Sequence, residues 1–404
     1  MYRLALSMIV KNESHIILEC LNSVYKHINY WVVVDTGSTD GTQDIIQNFF
    51  KEKNIPGELI QSEWKGFGPS RTEALDALKG KATYAWMIDA DDYLDGSFTL
   101  PDGDEIDSFA LRLGREEFSW WRNQIFKVDS GWEYVGVLHE YARSRKTENP
   151  IIMKLEGNYR IVARTVGGRN IGITAIEKYS KDAEILEKAL IDEPDNIRYK
   201  FYLGQSYFDS QQWEKAIDAY IRRVEAGGWA EEVYYSLYRI AIAKAMLNRP
   251  WGEIMEAFLV AYNSRPIRAE PLYHIAQIYR TRLNMPAVAY MFAKAALDIP
   301  FPQNDILFVP DAIYNFAILD EVGATAYSAG QPYIGYAACK KLLQDGKVPK
   351  TEIERIKNNM SQYEKIIQDI EAKKVQHELA LAKIKKENNP PQVPKKQKKY
   401  KVRK

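Results

Sequence analysis

Three short apolar runs, Leu4–Val10, Trp31–Val34 and Tyr84–Ile88, restrict the fold more than any other feature of this sequence. Each has the length of a strand buried on both faces and ends in polar or acidic residues. Lys11-Asn12-Glu13-Ser14 closes the first run and suits a helix start, and Ile17, Leu18, Leu21, Val24 and Tyr25 then recur at helical spacing. The second run ends at Asp35 in Thr36-Gly37-Ser38-Thr39-Asp40-Gly41-Thr42, small and flexible residues that fit a tight turn into another helix. Strand, helix, strand, helix at this spacing implies a parallel sheet with right-handed crossovers. Asp35 and Asp89 then lie at one edge of the sheet, where open α/β sheets bind ligands.

The third run breaks into Asp89-Ala90-Asp91-Asp92. Two charges about 4 Å apart repel by roughly 1 kcal/mol in water and about 4 kcal/mol at a protein-like effective dielectric. Carboxylates beside a diphosphate therefore call for a bridging cation, and hard oxygen ligands suit magnesium or manganese. Between the second and third runs, Trp64-Lys65-Gly66-Phe67-Gly68-Pro69-Ser70-Arg71 is rich in glycine and aromatics, and Pro69 and Ser70 put Arg71 in the first turn of a helix. Arginine there can grip a diphosphate through two parallel hydrogen bonds.

The motifs Met8 to Glu13, Val33 to Thr42, Trp64 with Phe67 and Arg71, and Asp89 to Asp92 together resemble a family 2 glycosyltransferase with the GT-A fold. The resemblance is dense over the first 95 residues and looser to about residue 145. It implies a nucleotide-sugar donor, usually a UDP-sugar, a manganese or magnesium ion, and inversion at the anomeric carbon. By the same resemblance the loop from Ile9 through Lys11 to Glu13 and the strand end at Asp35 hold base and ribose. Arg71, Asp89 and Ala90 complete the donor site, and Asp91 binds the metal. The sequence has Asp35-Thr36 where many members carry two acidic residues.

Further strands are expected over Phe109–Leu113 and Asn123–Val128, separated by Phe118–Arg122. Next come Trp132, Tyr134 and the pair His139-Glu140. Inverting transfer needs a base to take the acceptor's proton, and Glu140 is the candidate. His139 is a candidate second protein ligand to the ion, since imidazole tolerates manganese. Trp132 and Tyr134 are candidates to stack on a sugar, with a core role the plainer alternative. Residues 164 to 172 combine glycines with two arginines and fit either a lid or a linker.

From Ala175 strand patterns give way to helical periodicity. Tyr202-Leu203-Gly204, Tyr207, Trp213, Ala216 and Tyr220 approach a tetratricopeptide pattern that returns more weakly downstream. Such units stack, because none buries its apolar face alone. Tyr202, Tyr207 and Tyr220 occupy helix-packing positions of that pattern, which leaves Trp229, Trp251 and Tyr290 as candidates for a binding groove. The expected architecture is an α/β GT-A domain over residues 1–170, a tetratricopeptide-like solenoid over 171–350, and a charged helix with a lysine-rich tail over 351–404.

Of the 404 residues 46% are hydrophobic and 27% charged, with net charge +1, so nothing global points to nucleic acid. Cys20 and Cys339 fit no disulfide framework, and no run reaches the roughly 20 apolar residues that span a bilayer. A cytoplasmic protein is expected, with a glycan or protein acceptor and self-association through the repeats. Two rivals are a repeat scaffold whose transferase domain only binds nucleotide, and a nucleotidyltransferase. The second should carry a glycine-rich phosphate loop after the first strand, and Met8 to Glu13 contains no glycine.

Overall fold

The computed structural model describes residues 2–115, 118–164, 166–167 and 172–388. The chain divides into two compact units, residues 1–219 and 220–404.

The first unit opens with β1 (Tyr2–Val10), α1 (Ile17–Val24), β2 (Tyr30–Asp35), α2 (Thr42–Glu52), β3 (Gly57–Gln61), α3 (Phe67–Asp76) and β4 (Ala82–Met87). β5 (Tyr93–Gly96), β6 (Ser108–Arg115), β7 (Phe118–Lys127), β8 (Trp132–Val135), β9 (Tyr141–Ser144), β10 (Ile152–Lys154) and β11 (Tyr159–Val162) follow. The main sheet runs β3-β2-β1-β4-β7-β6-β11-β5, with β10 also on β6, while β8 and β9 form a separate antiparallel pair. The first four strands in this order are parallel, and β7 then joins β4 antiparallel. Alternation along the strands feeds two cores. Leu4, Leu6, Met8, Tyr84 and Trp86 pack with α1 and α2 on one face. Ala5, Val32, Val34, Ala85 and Met87 pack with Ala74, Leu75 and Leu78 on the other. The parallel βαβ order expected from the sequence is therefore present.

One expectation fails. Phe118–Arg122 is not a separator but the first half of β7, which pairs with β6 across Leu111↔Arg122 and Leu113↔Trp120. No glycine or proline interrupts Phe118 to Lys127, so a single ten-residue strand meets no backbone obstacle.

Strands give way to helices with α4 (Ala175–Asp192), which Thr174 and Glu177 start with a reciprocal capping box. α5 (Ile197–Asp209) also lies in the first unit, and α6 (Trp213–Glu225) crosses the division along the chain. The second unit continues with α7 (Ala230–Met246), α8 (Trp251–Ser264), α9 (Glu270–Thr281), α10 (Pro286–Leu297), α11 (Ile318–Thr325), α12 (Pro332–Asp345) and α13 (Ile353–Asn388). Helices α7 with α8, α9 with α10 and α11 with α12 pack as consecutive pairs, the arrangement of tetratricopeptide-like repeats. Ile356 and Tyr363 of α13 are buried with Cys339 and Leu342 of α12. Trp251 packs edge-on against Tyr279, so one candidate for a binding groove is part of the helix packing. Among the described residues no helix is long and apolar enough to cross a membrane. The lysine-rich run from 395 to 404, like residues 165 and 168–171 of the expected lid, lies outside the described residues.

Candidate active site

The ends of β1 and β2 are tied together before any ligand is considered. Asn12 N–H donates to Ser38 Oγ at 2.9 Å, Thr39 N–H to Asn12 Oδ1 at 2.8 Å, and Glu13 N–H to Thr42 Oγ1 at 2.9 Å. Asp35 is 1% exposed. Its Oδ1 accepts from Gly37 N–H, Ser38 N–H and Gln43 Nε2, each at 2.9 Å, so one oxygen builds the glycine turn. Its Oδ2 is buried with no partner among the described residues, and a buried carboxylate oxygen of this kind is costly unless something donates to it.

Helix α3 reaches the site through a close contact with β8. A Cβ on Gly68 would lie 2.9 Å from the Tyr134 carbonyl oxygen and 3.0 Å from that of Gly136, so a glycine is required there. Tyr134 N–H also donates to Thr72 Oγ1 at 2.9 Å. These contacts hold Arg71 beneath the rings of Phe67 and Tyr134, at 5.4 and 5.7 Å from their centroids. Its guanidinium donates to Asp89 Oδ1 at 2.5 Å and to Glu140 Oε1. The side chains of Arg71 and Glu140 are 12% and 13% exposed, so this pair is largely withdrawn from water.

Arg122, placed by the unbroken β7, adds contacts to Asp89 at 3.4 Å and Asp92 at 3.9 Å. Burial alone pushes the Asp89 carboxyl up, but Arg71 and Arg122 outweigh it and hold Asp89 well below the usual carboxylate range. Asp92 goes the other way, pushed up to about 7 by burial and by the charge of Asp89. Asp92 Oδ1 accepts the Arg164 N–H at 3.0 Å, and Arg164 Nε donates to the Asp91 carbonyl at 2.6 Å. Asp91 Oδ2 accepts the N–H groups of Val166 and Gly167 at 3.1 and 3.0 Å. A Cβ on Gly167 would meet both Asp91 Oδ2 and Glu13 Oε1 at 3.2 Å, so these two carboxylates approach the same backbone. Ala90 is buried between the two aspartates of the motif.

A cleft of about 940 Å³ opens beside this cluster. Ile9, Lys11, Glu13, Thr36, Phe67 and Tyr134 are among its walls, and so is Trp64, which is 46% exposed. It is thus lined by the expected donor loop and by both rings that cover Arg71.

The expected site residues converge unevenly. Arg71, Asp89 and Glu140 meet directly, and Ile9, Lys11 and Glu13 share the cleft. The His139 imidazole lies flat on Tyr202, with centroids 3.9 Å apart and planes 9° apart. Among the described residues no group of three or more His, Cys, Asp or Glu side chains could hold a metal ion. A cation carried by a diphosphate needs only one or two protein carboxylates, and Asp91 supplies one with the right hard oxygen. Trp132 is a core residue, buried against Phe126, rather than a sugar platform. Tyr202 is more than a helix-packing position of the repeat pattern, since it contacts the His-Glu loop.

Residues 6–102 match the family model described as glycosyl transferase family 2. The chain is 26% identical over 231 residues to the SPbeta prophage-derived glycosyltransferase SunS of Bacillus subtilis (strain 168), covering 52% of this chain and 50% of that protein. The glycosyltransferase SunS of Bacillus phage SPbeta matches to the same extent. The chain therefore spans about half the length of the curated relatives it matches. Among solved structures, S. aureus TarS 1-349 in complex with UDP-GlcNAc aligns with TM-score 0.37 and 14% identity over 62% of this chain and 93% of that one. MamA aligns with TM-score 0.33 and 17% identity over 42% of this chain and 83% of that one. The four spaced motifs from Met8 to Asp92 all fall inside residues 6–102, the stretch that matches the glycosyl transferase family 2 model.

Proposed function

We propose that the first unit is a metal-dependent, inverting glycosyltransferase that moves a sugar from a nucleotide-sugar, a UDP-hexose or UDP-N-acetylhexosamine, to a glycan or protein acceptor. The observation that carries this reading is the meeting of Arg71, Asp89 and Glu140, drawn from three separate motifs, beside a cleft walled by Ile9, Lys11 and Glu13. The donor's nucleoside enters the cleft, where an N–H or hydroxyl satisfies the unpartnered Asp35 Oδ2. Arg71 turns part of its fork to the diphosphate, and Asp89 orients the sugar. Glu140 takes the acceptor's proton as the acceptor attacks the anomeric carbon opposite the leaving diphosphate, which departs with the bonding electron pair. A divalent cation, when bound, neutralises the diphosphate, and Asp91 is the residue that would hold it. The repeats of the second unit serve acceptor binding or self-association.

The test is slow hydrolysis of a panel of nucleotide-sugars by the full chain, with manganese and then with chelator, beside Asp91→Ala. Metal-dependent release of nucleoside diphosphate from one donor, lost in the variant, is the expected result. Absence of both turnover and donor binding across the panel would sink the enzyme reading in favour of a nucleotide-binding scaffold.

A further inference from the structure

Glu140 is held from two sides, and Arg71 is only one of them. The other is helix α5. The loop between β8 and β9 carries Val137, Leu138, His139 and Glu140, and it contains a conformation that its own sequence disfavours. His139 has φ of +52°, the left-handed region, which non-glycine residues seldom adopt and which persists where the surroundings impose it.

The surroundings that impose it lie on one face of α5. Asn196 Oδ1 accepts the Tyr199 N–H at 3.0 Å, starting the helix so that Arg198 and Tyr199 fall in its first turn. Arg198 Nε and Nη2 both donate to the His139 carbonyl, at 3.1 and 2.7 Å. This carbonyl belongs to the peptide that joins His139 to Glu140. Tyr202, one turn further on, stacks on the His139 ring at 3.9 Å. The Arg198 guanidinium lies over Tyr141 and Tyr202, at 5.0 and 4.9 Å from their centroids. Tyr199 Oη accepts the Val137 N–H at 3.2 Å. The residues on both sides of Glu140 are thus fixed by a helix that carries the first tetratricopeptide-like motif.

We propose that Arg198 and Tyr202 are positioning residues that set the direction of the Glu140 carboxylate, so that the helical region completes the transferase site. This inference rests on the reading of Glu140 as the base. Displacing a reacting group by about 1 Å can cost about a hundredfold in rate. Lysine cannot reproduce the two parallel bonds of Arg198, whereas phenylalanine keeps the stacking face of Tyr202.

The experiment measures steady-state release of UDP from UDP-glucose and UDP-N-acetylglucosamine by the full chain with manganese, water being the acceptor. Wild type is compared with Arg198→Ala, Arg198→Lys, Tyr202→Leu, Tyr202→Phe and Glu140→Gln, each with a thermal melt. The expected result is that Arg198→Ala and Tyr202→Leu lower kcat about tenfold to a hundredfold, with donor KM within about twofold and folding retained. Arg198→Lys should fall between, and Tyr202→Phe should match wild type. If Glu140→Gln abolishes turnover while Arg198→Ala and Tyr202→Leu keep wild-type kcat, the positioning role is overturned and the base survives. A loss of kcat that tracks a lowered melting temperature, with Tyr202→Phe no better than Tyr202→Leu, also overturns it. If Glu140→Gln keeps wild-type kcat, or wild type releases no UDP, the base or transferase reading fails and this inference falls with it.

Discussion

Arginine meets carboxylate in both units, to different ends. In the second unit Arg268 is 1% exposed, and its guanidinium is spent on Glu270, Asp305 and the carbonyl oxygens of Leu307 and Phe308. Its charge is further covered by Tyr234, at 4.7 Å from the ring centroid, and Glu270 accepts from the hydroxyls of Tyr234 and Tyr314. Burial works against the charge of Arg268, but Glu270 more than offsets it. The network closes on itself and holds the segment after α10 to α9. In the first unit Arg71 serves two carboxylates beside an open cleft, one Asp35 oxygen has no partner among the described residues, and Asp92 is pushed up to about 7. A completed network stabilises a fold, whereas an incomplete one beside a cleft leaves groups for a ligand to complete.

That contrast can be broken most directly at Glu140. Glu140→Gln should cut turnover by about a hundredfold to ten-thousandfold, with a melting temperature far less changed than for a variant of Arg268. A collapse of stability would place this pair with the structural networks instead. Next in size, Arg268→Ala should destabilise the protein by about 3–5 kcal/mol in urea unfolding, because it leaves the buried Glu270 without its cationic partner, while Asp305 keeps Arg265.

The smallest effect concerns pH. The folded-state pKa of Asp92 is raised to about 7 from an ordinary value near 3.8, so between about pH 4 and pH 7 the folded protein holds a proton that the unfolded chain has released. The stability associated with Asp92 is therefore full at the acidic end of that window and lost as pH rises through 7. Asp92→Asn should flatten this slope, by at most about 1.4 kcal/mol per pH unit within the window, in melts taken at intervals of pH. An unchanged slope would show that Asp92 does not carry it.

Strands β1, β2 and β4 were legible because each carries an apolar run, and the helices between them open on turn signals, whereas β3, Gly57-Glu58-Leu59-Ile60-Gln61, is short and half polar and was not expected. The identities of Arg71, Asp89 and Glu140 were legible from their motifs, but their contact was not. Residues 71 and 140 are brought together by the packing of α3 on β8, which no local pattern announces. Arg122 was missed because Phe118–Arg122 looked like a connection. The absence of glycine and proline there was the available signal. Arg164 was noticed only as part of a glycine-rich segment, whereas the structure sets its N–H on Asp92 and its Nε on the Asp91 carbonyl. For His139, residue type suggested metal, but a positive φ and a ring partner on a helix beyond residue 170 decided its position. Arg198 carried no motif at all.

The order of strands also has a consequence for anyone who would dissect this chain. The family match ends at residue 102, yet β4 finds its second neighbour in β7, through Ala85↔Phe126 and Trp86↔Ile125, and β5 pairs with β11 at residues 159–162. Phe109, Leu111, Ile125 and Ile161 share one core with Trp86. A fragment cut after residue 102 would keep the four spaced motifs, lose Glu140 and expose the bare edge of β4, a template for aggregation. The shortest piece that can be recognised is therefore shorter than the shortest piece that can fold.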